Sequence, residues 1–348
     1  VTVSRYKQSI SRSKALREAL TINGEWNVND AASRYNAYFT ALLILVNGHK
    51  QQIYEYSTLA FLLIGMLWGL NWPAVKFMLT EIPPITIRAV SFTSAALILA
   101  VIVTLLKQPL RLRRSEAIPV ATVGIFLICG FNVPTSFRQV LIETSKAAII
   151  AYTMPSLTAL LAAVYLRERV GMRLVLALTI AMIGLGILAS ENVPSLIEQP
   201  IGPAIMMLAA LSWATGTVGL KSQSWRLPPL PLTVWFFAFS SLAVWPLVLL
   251  VEPPWEQEWP SAPVLATLAF HILGPAILCY VLWTVMVARL PATIVAISAL
   301  TAPVVGVLSS VLFLGDVMTW QKGLALTAII LSITATLYQP RKPTNPEV

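Results

Sequence analysis

The sequence predicts an all-α integral membrane protein of ten transmembrane helices, arranged as two inverted five-helix repeats. An apolar composition, ten spaced apolar runs and an internal duplication carry that prediction. Of the 348 residues, 57% are hydrophobic and 11% charged, where an ordinary soluble domain has about 25% charged. With a mean hydropathy of +0.76, lipid must cover most of the surface, which excludes a soluble globular enzyme and a disordered chain. The apolar runs are 58–79, 85–106, 118–139, 146–166, 173–190, 201–221, 231–251, 263–288, 292–314 and 319–338. Each is close to the roughly 20 residues that cross a bilayer as a helix. They are apolar all round with no period of two, so they read as helices and not as barrel strands.

Residues 1–57 differ from the rest. They carry Arg5, Lys7, Arg12, Lys14, Arg17, Arg34 and Lys50, and their longest apolar run, Tyr38 to Val46, is too short to span. They read as a cytoplasmic, partly disordered tail with room for an interfacial helix near 38–56. The first repeat is expected over 58–190, the second over 201–338, and a cytoplasmic tail over 339–348. Basic residues mark one side of the membrane: Lys107, Arg111, Arg113 and Arg114, then Arg167, Arg169 and Arg173, then Lys221 and Arg226, Arg289, and Arg341 with Lys342. The connection at 252–262 instead holds Glu252, Glu256 and Glu258 and no base. By the positive-inside rule both termini are cytoplasmic, in a cell (inner) membrane. The net charge of +9 is then a topology signal and not a nucleic-acid footprint. Cys129 and Cys279 lie in apolar runs and read as small buried hydrophobes, and His49 and His271 are the only histidines. With no CxxC and no HExxH, neither a metal nor a cofactor is expected.

The halves resemble each other in order. Trp68, Lys76 and Pro83-Pro84 recur 145 residues on as Trp213, Lys221 and Pro228-Pro229. Gly124 and Cys129 recur as Gly274 and Cys279, an offset of 150, while Pro155 recurs as Pro303 and Leu176–Thr179 as Leu324–Thr327, an offset of 148. Because five is odd, the second unit enters the membrane from the opposite side. The halves are then related by a pseudo-two-fold axis in the membrane plane, which lets a central site open to either face.

The run Trp68-Gly69-Leu70-Asn71-Trp72 and a doubled pattern complete the reading. The pattern is Ala147-Ala148, Pro155 and Glu168, repeated as Ala292-Thr293, Pro303 and Asp316. Over 58–338 the chain resembles the EamA family of the drug/metabolite transporter superfamily, with Asp316 where Glu is usual. The resemblance implies a 5+5 inverted fold, no catalysis and transport of small metabolites, often export of amino acids. It also implies a central cavity lined by helices 1, 3, 4, 6, 8 and 9, with helices 5 and 10 behind.

Polar groups at mid-membrane depth are costly unless they face a cavity or a partner. In helix 1, Asn71 between Trp68 and Trp72 reads as a substrate contact, or else as an interhelical bond beside an interfacial tryptophan. Asn132 and Pro134 mark a break in helix 3 whose freed backbone groups are open to ligand. Pro155 and Pro303 read as matched kinks or hinges. Tyr152 and Thr153, and Ser298 and Thr301, would then face the cavity, with Trp213, Tyr280 and Trp283 as aromatic walls. Arg88, three residues into helix 2, reads as snorkelling outward or pairing with Glu81, with a gate or anion contact as the sharper alternative. Glu168 and Asp316 read as end caps or gate ion pairs, and His271 as a satisfied hydrogen bond ahead of a proton-coupling group.

The best reading is therefore a secondary exporter of amino acids or similar metabolites. Its partners would be a small-molecule substrate and the lipid bilayer, with no nucleic acid, as a monomer or weak homo-oligomer. An exchanger or importer of phosphorylated metabolites or nucleotide sugars needs several cavity bases, and the spans hold chiefly Arg88 and Arg138. A channel or scaffold is a further alternative. A di-aspartyl protease needs two intramembrane Asp, whereas the only two are Asp30, in the tail, and Asp316; no GxSG accompanies His271.

Overall fold

The structure, a computed structural model, describes residues 50–141, 153–168, 171–190, 201–314 and 317–337. The chain divides into two units, Val1–Thr58 and Leu59–Val348. Of the first, only the residues from Lys50 are described, as helix, so most of the expected tail lies outside the described residues. The helices are α1 (Lys50–Met78), α2 (Pro84–Leu105), α3 (Arg114–Gly124), α4 (Gly130–Leu141), α5 (Met154–Tyr165), α6 (Met172–Ser190) and α7 (Ile201–Ser222). They continue as α8 (Pro229–Val251), α9 (Ala262–His271), α10 (Cys279–Arg289), α11 (Ala292–Ser298), α12 (Thr301–Leu314) and α13 (Trp320–Leu337). No strand occurs among the described residues, and helix occupies each of the predicted apolar runs. Seven helical stretches among them are long and apolar enough to cross a membrane, while Met154–Tyr165 and Met172–Ile187 are shorter apolar helices. Apolar side chains face outward where a soluble protein would be polar: Leu97, Leu242 and Leu250 are 63%, 68% and 81% exposed. Lipid is the solvent those faces fit.

Hydrogen bonds between the halves show that the repeats are inverted. The α8-end residue Glu252 meets the start of α2, its carboxylate accepting from the N–H groups of Ile85 (3.1 Å) and Thr86 (2.7 Å). Further along, Trp245 donates to the Thr93 hydroxyl at 2.9 Å, and Ser241 lies 2.7 Å from it. As the α2 number rises the α8 number falls, so these equivalent helices run antiparallel. Thr93 and Ser241 thus meet across the interface between the two repeats. Thr93 gives its own proton to Ala89 O (2.7 Å), which makes Ser241 the donor between them. Asn132 and Tyr280 are bonded across the same interface at 2.6 Å. Trp68 and Trp213 meet edge to face at 5.2 Å.

The equivalent helices α6 and α13 pack together, as do α2 and α8, and these are the most extensive pairings. Small residues allow the first: a Cβ on Gly184 would lie 2.7 Å from Ala328 Cβ. Prolines open α2 and α8 at positions whose N–H would have no helical partner anyway.

In place of the expected break, helix 3 continues through a π-helical turn, Ile125–Cys129, that joins α3 to α4. Helix 8 has its counterpart, Ile272–Leu278, between α9 and α10. Such turns concentrate at functional sites. Pro134 lies inside α4, and beside it Asn132 O accepts from the hydroxyls of Thr135 (2.9 Å) and Ser136 (3.1 Å). Nor do the matched prolines kink helix interiors. Pro155 sits in the first turn of α5, and Pro303 in the first turn of α12 just after the interruption between α11 and α12.

Candidate functional site

A cavity with about 70 Å³ of room lies between the halves. Helix 1 contributes Trp68, Asn71 and Trp72. Helix 3 contributes Phe131, Asn132 and Thr135, α5 contributes Met154, Pro155 and Thr158, and α11 with the turn after it contributes Ala296 and Ala299. Trp213 comes from α7, and His271, Pro275, Tyr280 and Trp283 from helix 8. The six helices expected to line it do so, and α2 and α8 join them through Arg88, Phe92 and Phe237.

Four aromatic rings form one wall. Trp68 lies 5.2 Å from Trp213, 5.8 Å from Tyr280 and 5.4 Å from Trp283, and Trp213 lies 5.6 Å from Tyr280 and 5.2 Å from Trp283. The edge-to-face pairs are a favoured aromatic geometry. The Trp68 indole N–H donates to Pro275 O at 3.1 Å, using a carbonyl in the second π turn.

A line of polar groups forms the other wall. Arg88 Nε donates to Ser136 Oγ at 2.6 Å and Nη1 to His271 Nε2 at 3.2 Å. His271 Nδ1 lies 2.6 Å from Asn71 Oδ1. Guanidinium only donates, so His271 Nε2 must accept, and the imidazole proton resides on Nδ1, where it is given to Asn71. The network thus fixes one neutral tautomer. Asn132 spends its amide hydrogens on Ile128 O (2.8 Å) and the Tyr280 hydroxyl (2.6 Å), leaving its carbonyl oxygen as an acceptor. Thr158 Oγ1 and Trp283 Nε1 are buried with no hydrogen-bond partner among the described residues.

Several predicted site residues belong elsewhere. Arg88 neither snorkels nor pairs with Glu81: it is 2% exposed and inside the cavity wall. Glu81 instead accepts from Ser261 N–H (2.6 Å) and Oγ (2.8 Å), capping α9. Thr153 is not in the cavity wall and lies 4.0 Å from Met207 Sδ on α7. Thr301 is also outside the wall, where it donates to Phe61 O at 3.4 Å and occupies the hollow above Gly65. Pro303 is buried away from the cavity. Tyr152, Asp316 and the Ser298 side chain lie outside the described residues.

Glu168 lies at the opposite face of the bundle from Glu81. Arg167, with φ 54°, ends α5 in a left-handed turn. Beyond it, Glu168 accepts from the N–H groups of Ala292 (2.9 Å) and Thr293 (3.3 Å) and from Thr293 Oγ1 (3.0 Å). It ties α5 to the start of α11.

Ser136, Phe131 and Thr158, which the sequence does not mark as site residues, also belong to the site, Ser136 through its bond to Arg88. The available signal was a polar side chain in an apolar run, which gives depth and no direction. Among the described residues, no group of His, Cys, Asp and Glu is arranged to hold a metal ion.

Comparison with known proteins agrees with this architecture. Residues 56–190 and 200–338 each match the EamA-like transporter family. A probable amino-acid metabolite efflux pump of Escherichia coli is 24% identical over 78% of this chain and 91% of its own length. Its namesake in Salmonella typhimurium is 26% identical over 80% and 92%. An uncharacterized transporter of Archaeoglobus fulgidus is 23% identical over 76% and 94%. A solved crystal structure shares the fold with a TM-score of 0.65 at 20% identity, covering 81% of this chain and 96% of the other.

Proposed function

Because the chain belongs to the EamA-like transporter family, we propose that it is a secondary transporter that exports amino acids or similar small metabolites by alternating access. One observation carries the reading: a cavity lined by both aromatic and hydrogen-bonding side chains lies where the inverted halves meet. Midplane sites at a repeat interface are where such folds bind substrate. The efflux-pump names of relatives in Escherichia coli and Salmonella typhimurium support the substrate class and direction. Trp68, Asn71, Trp72, Asn132, Trp213, Tyr280 and Trp283 are the proposed substrate contacts. Pro155 and Pro303, each in the first turn of a helix, are proposed hinges. Glu168 is the proposed gate at the face that the basic loops assign to the cytoplasm.

Two experiments test this. Metabolites in the medium of overexpressing cells, compared with controls, identify candidates, and counterflow in liposomes shows whether the protein exchanges them. A saturable flux stimulated by substrate on the opposite side is expected, and a flux without that stimulation would mean a pore. For the site, Asn71→Ala should lower transport about tenfold at unchanged expression, because an unfixed His271 costs about the 1.4 kcal/mol of one hydrogen bond. Trp72→Ala should lower it too. Unchanged transport in both variants would remove helix 1 from the site.

A further inference from the structure

Resting on that reading, we infer that Arg88 recognises the substrate through a carboxylate, so that the transported class is small, singly charged carboxylates, free amino acids among them. Arg88 is 2% exposed and is the only charged residue among the described residues that line the cavity. Both groups it touches, Ser136 Oγ and His271 Nε2, are uncharged acceptors. Each is itself oriented: Ser136 donates to Asn132 O, and His271 donates to Asn71. The guanidinium is therefore held in position without a countercharge among the described residues, and the rest of its donor fork is not engaged by them. A buried charge without a partner is strongly destabilising, so a protein that keeps one gains where a ligand completes the pair. Planar, paired N–H donors match a carboxylate in two-point geometry, which ammonium or hydroxyl donors do not reproduce. One cation balances one carboxylate and leaves a phosphate dianion half neutralised.

For a free amino acid, the same cavity supplies a place for the ammonium. The unspent Asn132 carbonyl oxygen accepts a hydrogen bond, and the faces of the tryptophan cluster attract a cation.

The test uses the full-length protein in lipid nanodiscs and its own tryptophan fluorescence, since Trp68, Trp72, Trp213 and Trp283 line the cavity. Alanine, leucine and phenylalanine are titrated against their carboxamides, which keep the amine and side chain and lose the carboxylate. At least one acid should bind ten or more times tighter than its amide. Arg88→Gln should abolish that preference, and Arg88→Lys should keep part of it. Equal binding of every acid and amide, no binding by any of the acids, or a preference that survives in Arg88→Gln would each overturn the assignment. The wild-type comparison stands even if a variant folds poorly. The outcome is separable from the transport reading. A carboxylate preference without counterflow would reject export and keep Arg88 as an anion site, whereas counterflow indifferent to the carboxylate would do the reverse.

Discussion

Gly216→Ala should leave little folded, transporting protein. A Cβ at Gly216 would lie 2.5 Å from the backbone N and 2.7 Å from the Cα of Leu127, inside the first π turn. Backbone atoms have no rotamer by which to yield, so α7 must move away from helix 3. Overpacking of this kind costs about 1–3 kcal/mol in soluble cores. In a bilayer the separated surfaces find lipid as good a neighbour as protein, so close packing is what holds the helices together. One turn earlier, Ser212 donates to Phe126 O at 2.8 Å, meeting a carbonyl of the same π turn. Trp213 is adjacent to it, so a displaced α7 also pulls the aromatic wall apart. The expected result is a melting temperature several degrees or more below wild type in detergent, with transport abolished. Gly186→Ala is the control: a Cβ there meets nothing within 4 Å, and alanine is the better helix former. If Gly216→Ala melts with wild type, the contact between α7 and the π turn is not tight.

Depth in the membrane was legible in the sequence and direction around the helix was not. The apolar runs, the duplication and the prolines at helix starts are properties of single segments, and the helices follow them. Trp68, Asn71, Trp72, Asn132, Trp213, Tyr280 and Trp283 stand out as polar or aromatic letters in such segments, and the structure gathers them around one cavity. Arg88 shows the limit. Its place near the start of α2 looks superficial, but its face of the helix points at Ser136 and His271, residues 48 and 183 positions away. Nothing in the local pattern encodes those partners.

The π turns set helix faces that local spacing does not give. One extra residue in a turn rotates everything after it by about 100°. The faces of α4 and α10 are thereby turned relative to those of α3 and α9. Thr153 and Thr301, expected to face the cavity, both stand where a helix begins, at the α5 N-cap and the first residue of α12. Instead Thr153 faces Met207, and Thr301 packs against α1.

Glu168→Ala should have the largest effect on the transport cycle itself. In this structure the carboxylate accepts three hydrogen bonds from Ala292 and Thr293 and ties the end of α5 to the beginning of α11. Charge-assisted bonds to a helix N-terminus are among the stronger polar contacts, at about 1–2 kcal/mol for the cap. Alanine removes all three and leaves the first amides of α11 unmatched, so the conformation in which α5 and α11 are joined loses stability relative to one in which they part. A bias of about 1.4 kcal/mol shifts that balance tenfold. A carrier biased toward one face turns over slowly, because each cycle must visit both. The readout is a single cysteine at Ala296, on α11 and lining the cavity, in a protein whose Cys129 and Cys279 are replaced. Its labelling by a membrane-impermeant maleimide from the Glu168 face should speed up about tenfold in Glu168→Ala, while counterflow falls by a similar factor. Glu168→Gln keeps one acceptor oxygen and should fall between. Thr293→Val keeps the backbone bonds and loses only the hydroxyl, so it should resemble wild type more closely. Wild-type labelling rates in Glu168→Ala would show that the cap supports α11 without governing access.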